Sequence, residues 1–96
     1  MKIYVIGSVN KNENEIKRVA EKFEAMGNEV RYVKKEFGVP LETLIHNCYL
    51  HIDSWADIIV AVPKSIVKGY VDIGMDTMYE VEHAKSFSKP VLIYGS

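Results

Sequence analysis

The first candidate for chemistry is Glu80, which lies in the segment MDTMYEVEHA near the carboxyl end of the chain. A carboxylate beside the ends of buried strands can act as a nucleophile or bind a sugar hydroxyl. Glu80 also follows Thr77 by three residues, which is the capping-box pattern, and in that role it would only hold the backbone of its own helix. The local pattern alone favours the cap. His83 lies one turn after Glu80 on the same helix face and is a candidate for contact with a ligand.

A second candidate is the pair Gly7 and Ser8, which follows an apolar run and precedes a predicted helix. Glycine allows a ligand to approach the backbone closely, and a serine hydroxyl with free N–H groups at a helix start suits an anion. The pair lacks the further glycines of a dinucleotide-binding fingerprint and does not form a P-loop. A plain turn with polar caps explains the same residues equally well.

The remaining candidates surround a long segment, residues 63–74. Lys64 and Ser65 could meet a phosphate, although single exposed lysines more often only increase solubility. Asp76 could approach a ligand or merely start a helix. Tyr4 could stack on a base, although its position within a strand favours the core. The three histidines have no metal-ligand spacing to each other or to cysteine, so we expect no metal site and no cofactor.

Strands and helices alternate along the chain. Apolar and alternating runs predict four strands, at residues 2–6, 29–33, 57–62 and 90–94. Apolar residues at helical spacing predict three helices, at residues 13–26, 40–55 and 76–87. The segments 7–12 and 63–74 are predicted to be loops.

The order β-α-β-α-β-α-β predicts an α/β fold with right-handed crossovers. We expect a three-layer, Rossmann- or flavodoxin-like architecture with a short parallel sheet of about four strands. In such sheets ligands bind beyond the carboxyl ends of the strands, where the strand order reverses. That rule selects three segments: residues 7–12, 33–40 and 63–74.

Length and composition limit the remaining possibilities. The 96 residues predict a single domain over 1–96, and a chain this short is often stabilised by oligomerisation. Twelve basic and 13 acidic residues leave a net charge of −1, so no broad basic field exists to hold nucleic acid. The first apolar run is too short for a signal sequence or a membrane span. Cys48 is the single cysteine, which suits a reducing, cytoplasmic location.

Three short segments occur in a specific order: MKIYVIGS at 1–8, WADIIVA at 55–61, and EVEHA at 80–84 followed by KPVL at 89–92. Together they resemble the nucleoside 2-deoxyribosyltransferase-like families, which include the deoxyribonucleoside monophosphate N-glycosidases. The segments correspond to the first strand, the third strand, and the nucleophile helix with the last strand of those families. The resemblance covers most of the chain in order and spacing.

The resemblance implies a small-molecule nucleoside or nucleotide as substrate. It also implies that Glu80 attacks the anomeric carbon of a 2-deoxyriboside and displaces the base. Water or a second base then resolves the glycosyl ester. Gly7 and Ser8 would face the sugar or phosphate, and Tyr4 would lie nearby. The families also imply a homodimer, or a higher homo-oligomer, that shares sites between subunits.

The chain departs from those families at several positions. Tyr49 stands where they carry an aspartate, and Met78, Tyr79 and Glu82 stand where they favour small residues. Three hypotheses follow: an enzyme that cleaves or transfers the N-glycosidic bond, a non-catalytic nucleotide-binding module that senses or sequesters its ligand, and an interaction protein that has lost the site.

Overall fold

The computed structural model describes residues 1–34, 38, 40–67 and 70–95 of the chain. The elements follow in the order β1 (Lys2–Gly7), α1 (Val9–Ala25), β2 (Glu29–Tyr32), α2 (Leu41–Ser54), β3 (Ile58–Val62), β4 (Ser65–Val67), β5 (Tyr70–Asp72), α3 (Met75–Ser86) and β6 (Val91–Ile93).

The main sheet has four parallel strands in the order β2-β1-β3-β6. Its two central strands, β1 and β3, are almost entirely buried, which explains why both read as continuous apolar runs. Gly7 pairs with Val62 at the carboxyl ends of these strands. The predicted α/β class with a short parallel sheet of about four strands is confirmed.

The helices cover the two faces of the sheet. An added Cβ at Gly7 would contact Ile16 of α1, whereas the ring of Tyr4 contacts His51 of α2. Residues an odd number of positions apart on a strand point to opposite faces, so α1 and α2 lie on opposite sides. The right-handed crossover from β3 to β6 places α3 beside α2, and these two helices pack together.

Helix α1 begins earlier than predicted. The segment 7–12, expected to be a loop, contains its first turn, in which Lys11 N and Asn12 N donate to the carbonyl of Ser8. Asn12 then leaves the helical region at φ −124° and ψ 27° before the apolar face resumes. Val9 lies two helical turns before Ile16 and packs against the core, but it is the one apolar residue of this turn and polar residues separate it from Ile16.

The segment 63–74, also predicted to be a loop, contains an antiparallel hairpin. β4 pairs with β5, with Ser65 opposite Asp72 and Val67 opposite Tyr70. Strands of three residues are too short for a recognisable alternation, so the hairpin escaped prediction. Lys68 and Gly69 lie outside the described residues.

Candidate functional site

The carboxyl ends of β1 and β3 lie side by side, and the chain leaves them in opposite directions across the sheet. α1 follows β1 toward β2, whereas the β4–β5 hairpin and α3 follow β3 toward β6. Open parallel sheets bind ligands at this kind of reversal. We call this region the carboxyl edge and define it by Gly7, Ser8, Val62 and Pro63, which end β1 and β3.

Gly7 has a packing role at this edge. A Cβ atom there would lie 2.9 Å from Cδ1 of Ile16 and 3.1 Å from the carbonyl oxygen of Val62. The glycine therefore lets α1 cross close to the end of the sheet. The predicted role in ligand approach stays a prediction.

Ser8 is the N-cap residue of α1, but its hydroxyl makes no capping hydrogen bond. The first turn of α1 contains no acidic side chain. A free hydroxyl and an uncompensated helix start are compatible with the anion that the sequence suggested, because the helix dipole favours negative charge there.

Asn12 links α1 to the segment after β3, a contact that no sequence motif predicted. Its Nδ2 donates to the carbonyl oxygen of Pro63 at 2.7 Å. The kink at Asn12 turns this side chain out of the helix and toward the sheet edge. Asn and Asp side chains often bond to backbone in turn-rich segments, which is the only signal that could have revealed the contact.

The base of the hairpin holds Lys64 over the start of α3. Lys64 N donates to the carbonyl of Asp72 at 2.6 Å, and Gly74 N donates to Oδ1 of Asp72 at 3.0 Å. A Cβ on Gly74 would lie 2.9 Å from Cε and 3.3 Å from Nζ of Lys64, so the ammonium group passes directly over this glycine. Ser65 is exposed in the adjoining strand. Lys64 and Ser65 are therefore near each other and near the first turn of α3.

The capping-box interpretation of Thr77 and Glu80 is wrong. α3 has Gly74 as its N-cap, at φ 79° and ψ 155°, and it begins at Met75. Thr77 is already inside the helix and 1% exposed, facing the sheet. A glycine at positive φ turns the chain into the helix three residues earlier than a cap at Thr77 would.

Glu80 consequently lies well inside α3 rather than in its first turn. It is half-buried, and its Oε2 atom is shielded from solvent. The rise per residue of an α-helix sets Glu80 roughly 8 Å along the axis from the start of α3.

His83 lies in a different environment from Glu80. Its Nε2 donates to Oδ1 of Asp53 at 2.6 Å, and its ring stacks on Tyr49 with centroids 3.9 Å apart and 7° between the planes. Both partners belong to α2. Since α2 and α3 run from the carboxyl edge to the opposite end of the sheet, this contact near their last turns is directed away from Gly7 and Ser8.

Two other candidates, Tyr4 and Asp76, cannot be assigned to the carboxyl edge. Tyr4 is 2% exposed, and its ring packs on His51 at 5.1 Å. Asp76 belongs to α3, but its side chain lies outside the described part of the chain. Tyr4 is thus a core residue in this chain, as its strand position suggested.

Two residues of the family-like segments have structural contacts at the amino ends of the strands. Asp57 accepts a hydrogen bond from the backbone N–H of Lys2 at 2.9 Å. Lys89 donates to the carbonyl of Ala56 at 2.9 Å. These bonds join the starts of β1, β3 and β6, which accounts for both polar side chains without a ligand.

Within the described ranges, no group of three His, Cys, Asp or Glu side chains is arranged to hold a metal ion. In the same residues, no helix is both long enough and apolar enough to cross a bilayer. Comparisons with protein-family models, curated proteins and solved structures found no match to this chain.

Proposed function

We propose that this chain binds a nucleoside or nucleotide at the carboxyl edge and breaks the N-glycosidic bond of a 2-deoxyribonucleoside or its monophosphate. Glu80 is the proposed nucleophile. The observation that carries the proposal is that Glu80 does not cap α3: it lies inside the helix, half-buried, with Oε2 shielded from solvent. A half-buried carboxylate on the helix that follows the strand reversal is of the type and in the place expected of such a nucleophile.

In the proposed reaction, a carboxylate oxygen of Glu80 forms a bond to the anomeric carbon. The bond from that carbon to the base nitrogen breaks, and the base leaves with the electron pair and takes up a proton. Water then attacks the ester, which releases the sugar and the Glu80 carboxylate; a second base attacking instead gives transfer.

Residues at and beside the carboxyl edge could bind the parts of the substrate that do not react. Ser8 and the first N–H groups of α1 are suited to a phosphate, and Lys64 adds a positive charge beside the start of α3. Asn12 donates to Pro63 and so ties the segment that precedes Lys64 to α1.

A non-catalytic nucleotide-binding module is the second proposed function, and α2 supplies the observation that favours it. Tyr49 stands where the resembled families carry an aspartate, and its ring is stacked on His83. Asp53, the next carboxylate along α2, is already bonded to His83. No second carboxylate of this part of α2 is therefore available to assist a departing base.

The experiment combines thermal melting with product analysis. The wild type is incubated with nucleosides, deoxynucleotides and cyclic nucleotides, and the same mixtures are chromatographed for free base. The matched variants are Glu80→Gln and Glu82→Gln, since Glu82 is exposed on the same helix. Base released by the wild type and by Glu82→Gln, but not by Glu80→Gln, supports the enzyme.

The other outcomes separate the alternatives. A ligand-dependent rise in Tm without free base favours the binding module. If the panel gives neither a rise in Tm nor free base, both proposals are contradicted and the interaction protein remains. The proposed homodimer, or higher homo-oligomer, is tested separately by sedimentation equilibrium.

A further inference from the structure

The last turn of α2 is attached to its neighbours by two histidines on different sides. His51, in α2, contacts Tyr4 of β1 and Arg31 of β2. His83, in α3, contacts Asp53 and Tyr49 of α2. Neither histidine has a role in the proposed reaction at the carboxyl edge.

The geometry of the first contact fixes the protonation state of His51. Nδ1 of His51 lies 3.2 Å from Nη1 of Arg31. A guanidinium group has only donors, so Nδ1 must present its lone pair and the ring must be neutral. Protonation would direct an N–H at another N–H and bring two positive charges together.

The surroundings of His51 act in the same direction. Burial and then the positive charge of Arg31 lower the pKa of His51 from its usual value. The ring faces Tyr4 from β1, while the guanidinium of Arg31 lies 4.2 Å above the ring of Trp55 at the end of α2. Neither of the ion pairs found among the described residues includes His51.

The second contact tolerates acidification. Asp53 needs only a hydrogen on Nε2 of His83, and both the neutral and the protonated imidazole can carry one. A planar imidazole can stack on Tyr49 in either state. The side of α2 that faces α3 is therefore held when the side that faces β2 is weakened.

We propose that the last turn of α2 is a one-sided, pH-sensitive attachment, in which protonation of His51 breaks its contact with Arg31 and frees the Trp55 end from β2 while His83 keeps α2 on α3. The device is independent of the proposed reaction, so it can be tested whether or not the chain is an enzyme.

The test uses Trp55, the only tryptophan of the chain, as a local reporter. Fluorescence of the full chain is followed from pH 7.5 to pH 5, while the C2 proton of His51 is titrated by NMR and far-UV circular dichroism records the helix content. We expect the Trp55 emission to shift to longer wavelength with the same midpoint as His51, below the usual histidine value of about 6.5. The helix signal should stay constant.

Three variants sharpen the result. His51→Gln can still accept from Arg31 but does not titrate, so the Trp55 transition should be lost. His46→Gln, an exposed histidine of the same helix, should leave the transition unchanged. Arg31→Gln should raise the His51 midpoint toward the usual value, as read by NMR alone because this variant also alters the contact with Trp55.

Several results overturn the proposal. A His51 midpoint at or above the usual value would show that the ring is not held neutral. A flat Trp55 signal during the His51 titration, or a transition that survives in His51→Gln, would separate the two residues. Loss of the helix signal at the same pH would mean that the whole chain unfolds instead.

Discussion

The two halves of α3 contain polar residues one turn apart, and their surroundings differ. Glu80 lies in the half that begins beneath Lys64 and the hairpin, with one carboxylate oxygen shielded and no capping role. His83 lies in the half that packs on α2, where Asp53 and Tyr49 hold its ring. Helical spacing assigns two residues to a common face, but neighbouring helices decide whether that face belongs to a site or to an interface.

The largest expected effect is a loss of product formation, and it should occur on substitution of Glu80 but not of His83. Glu80→Gln should lower product formation by on the order of 10³-fold or more, because it removes the proposed nucleophile, with little change in stability. His83→Phe should lower stability but change product formation by less than about tenfold. Chromatography of released base and urea unfolding of both variants provide the comparison. If His83→Phe removes turnover as fully as Glu80→Gln does, the two residues belong to one site and the distinction is wrong.

The next effect concerns the glycine that starts α3. Gly74 has φ 79° and ψ 155°, a conformation that is essentially restricted to glycine. Gly74→Ala should lower the free energy of unfolding by about 1–3 kcal/mol. It should also reduce ligand-induced stabilisation, because the new methyl group displaces the Lys64 side chain.

Gly27→Ala is the matched control for that variant. Gly27 also has a positive φ, 95°, but an added Cβ would meet nothing within 4 Å. It should destabilise the protein without altering the ligand effect on Tm. Equal loss of ligand stabilisation in both variants would indicate a global cause and remove the case for Lys64 at the edge.

A smaller effect is expected from the interface half of α3. A double-mutant cycle with Asp53→Ala and His83→Ala should give a coupling energy of about 1 kcal/mol, since the hydrogen bond is short but only partly shielded from solvent. His83→Phe preserves an aromatic surface for Tyr49 and tests how much of the loss is stacking. Urea unfolding measures all four proteins of the cycle. Additive effects would show that the pair contributes nothing beyond its separate packing.

The fold was largely predictable because the strands of the main sheet can be recognised from their sequence pattern. β1 and β3 are buried on both faces and read as apolar runs, and the alternation of strands with helices leads to a parallel sheet. The hairpin was missed because β4 and β5 have three residues each. The helix α3 was predicted from residue 76 and begins at Met75, but the capping box of Thr77 was wrong because Gly74, at positive φ, is the N-cap.

The candidate site was predictable only in part, for a related reason. The rule that ligands bind at strand reversals selects the carboxyl edge without knowledge of side chains, and Ser8 and Lys64 follow the two strands that end there. Ligand binding at this edge stays a prediction. The contacts between elements distant in sequence are not visible locally. The contact of Asn12 with Pro63 joins residues 51 positions apart, and the contact of His83 with Asp53 joins residues 30 positions apart. Both contacts depend on how the helices pack on the sheet and on each other.

The smallest expected effect lies in the pH dependence of stability at the end of α2. Burial and Arg31 lower the folded-state pKa of His51 below its unfolded value of about 6.5, so the unfolded chain binds more protons in the interval between the two pKa values. Stability should therefore be unaffected by His51 above about pH 6.5. It should fall as the pH drops toward the folded-state pKa and level off beneath it. In His51→Gln this part of the slope should disappear, because the side chain no longer titrates. Urea unfolding of both proteins between pH 7.5 and pH 5 measures the difference between their free energies of unfolding. This difference should change only on the acidic side. Parallel curves throughout would mean that the Arg31 contact does not discriminate between the two states of the ring.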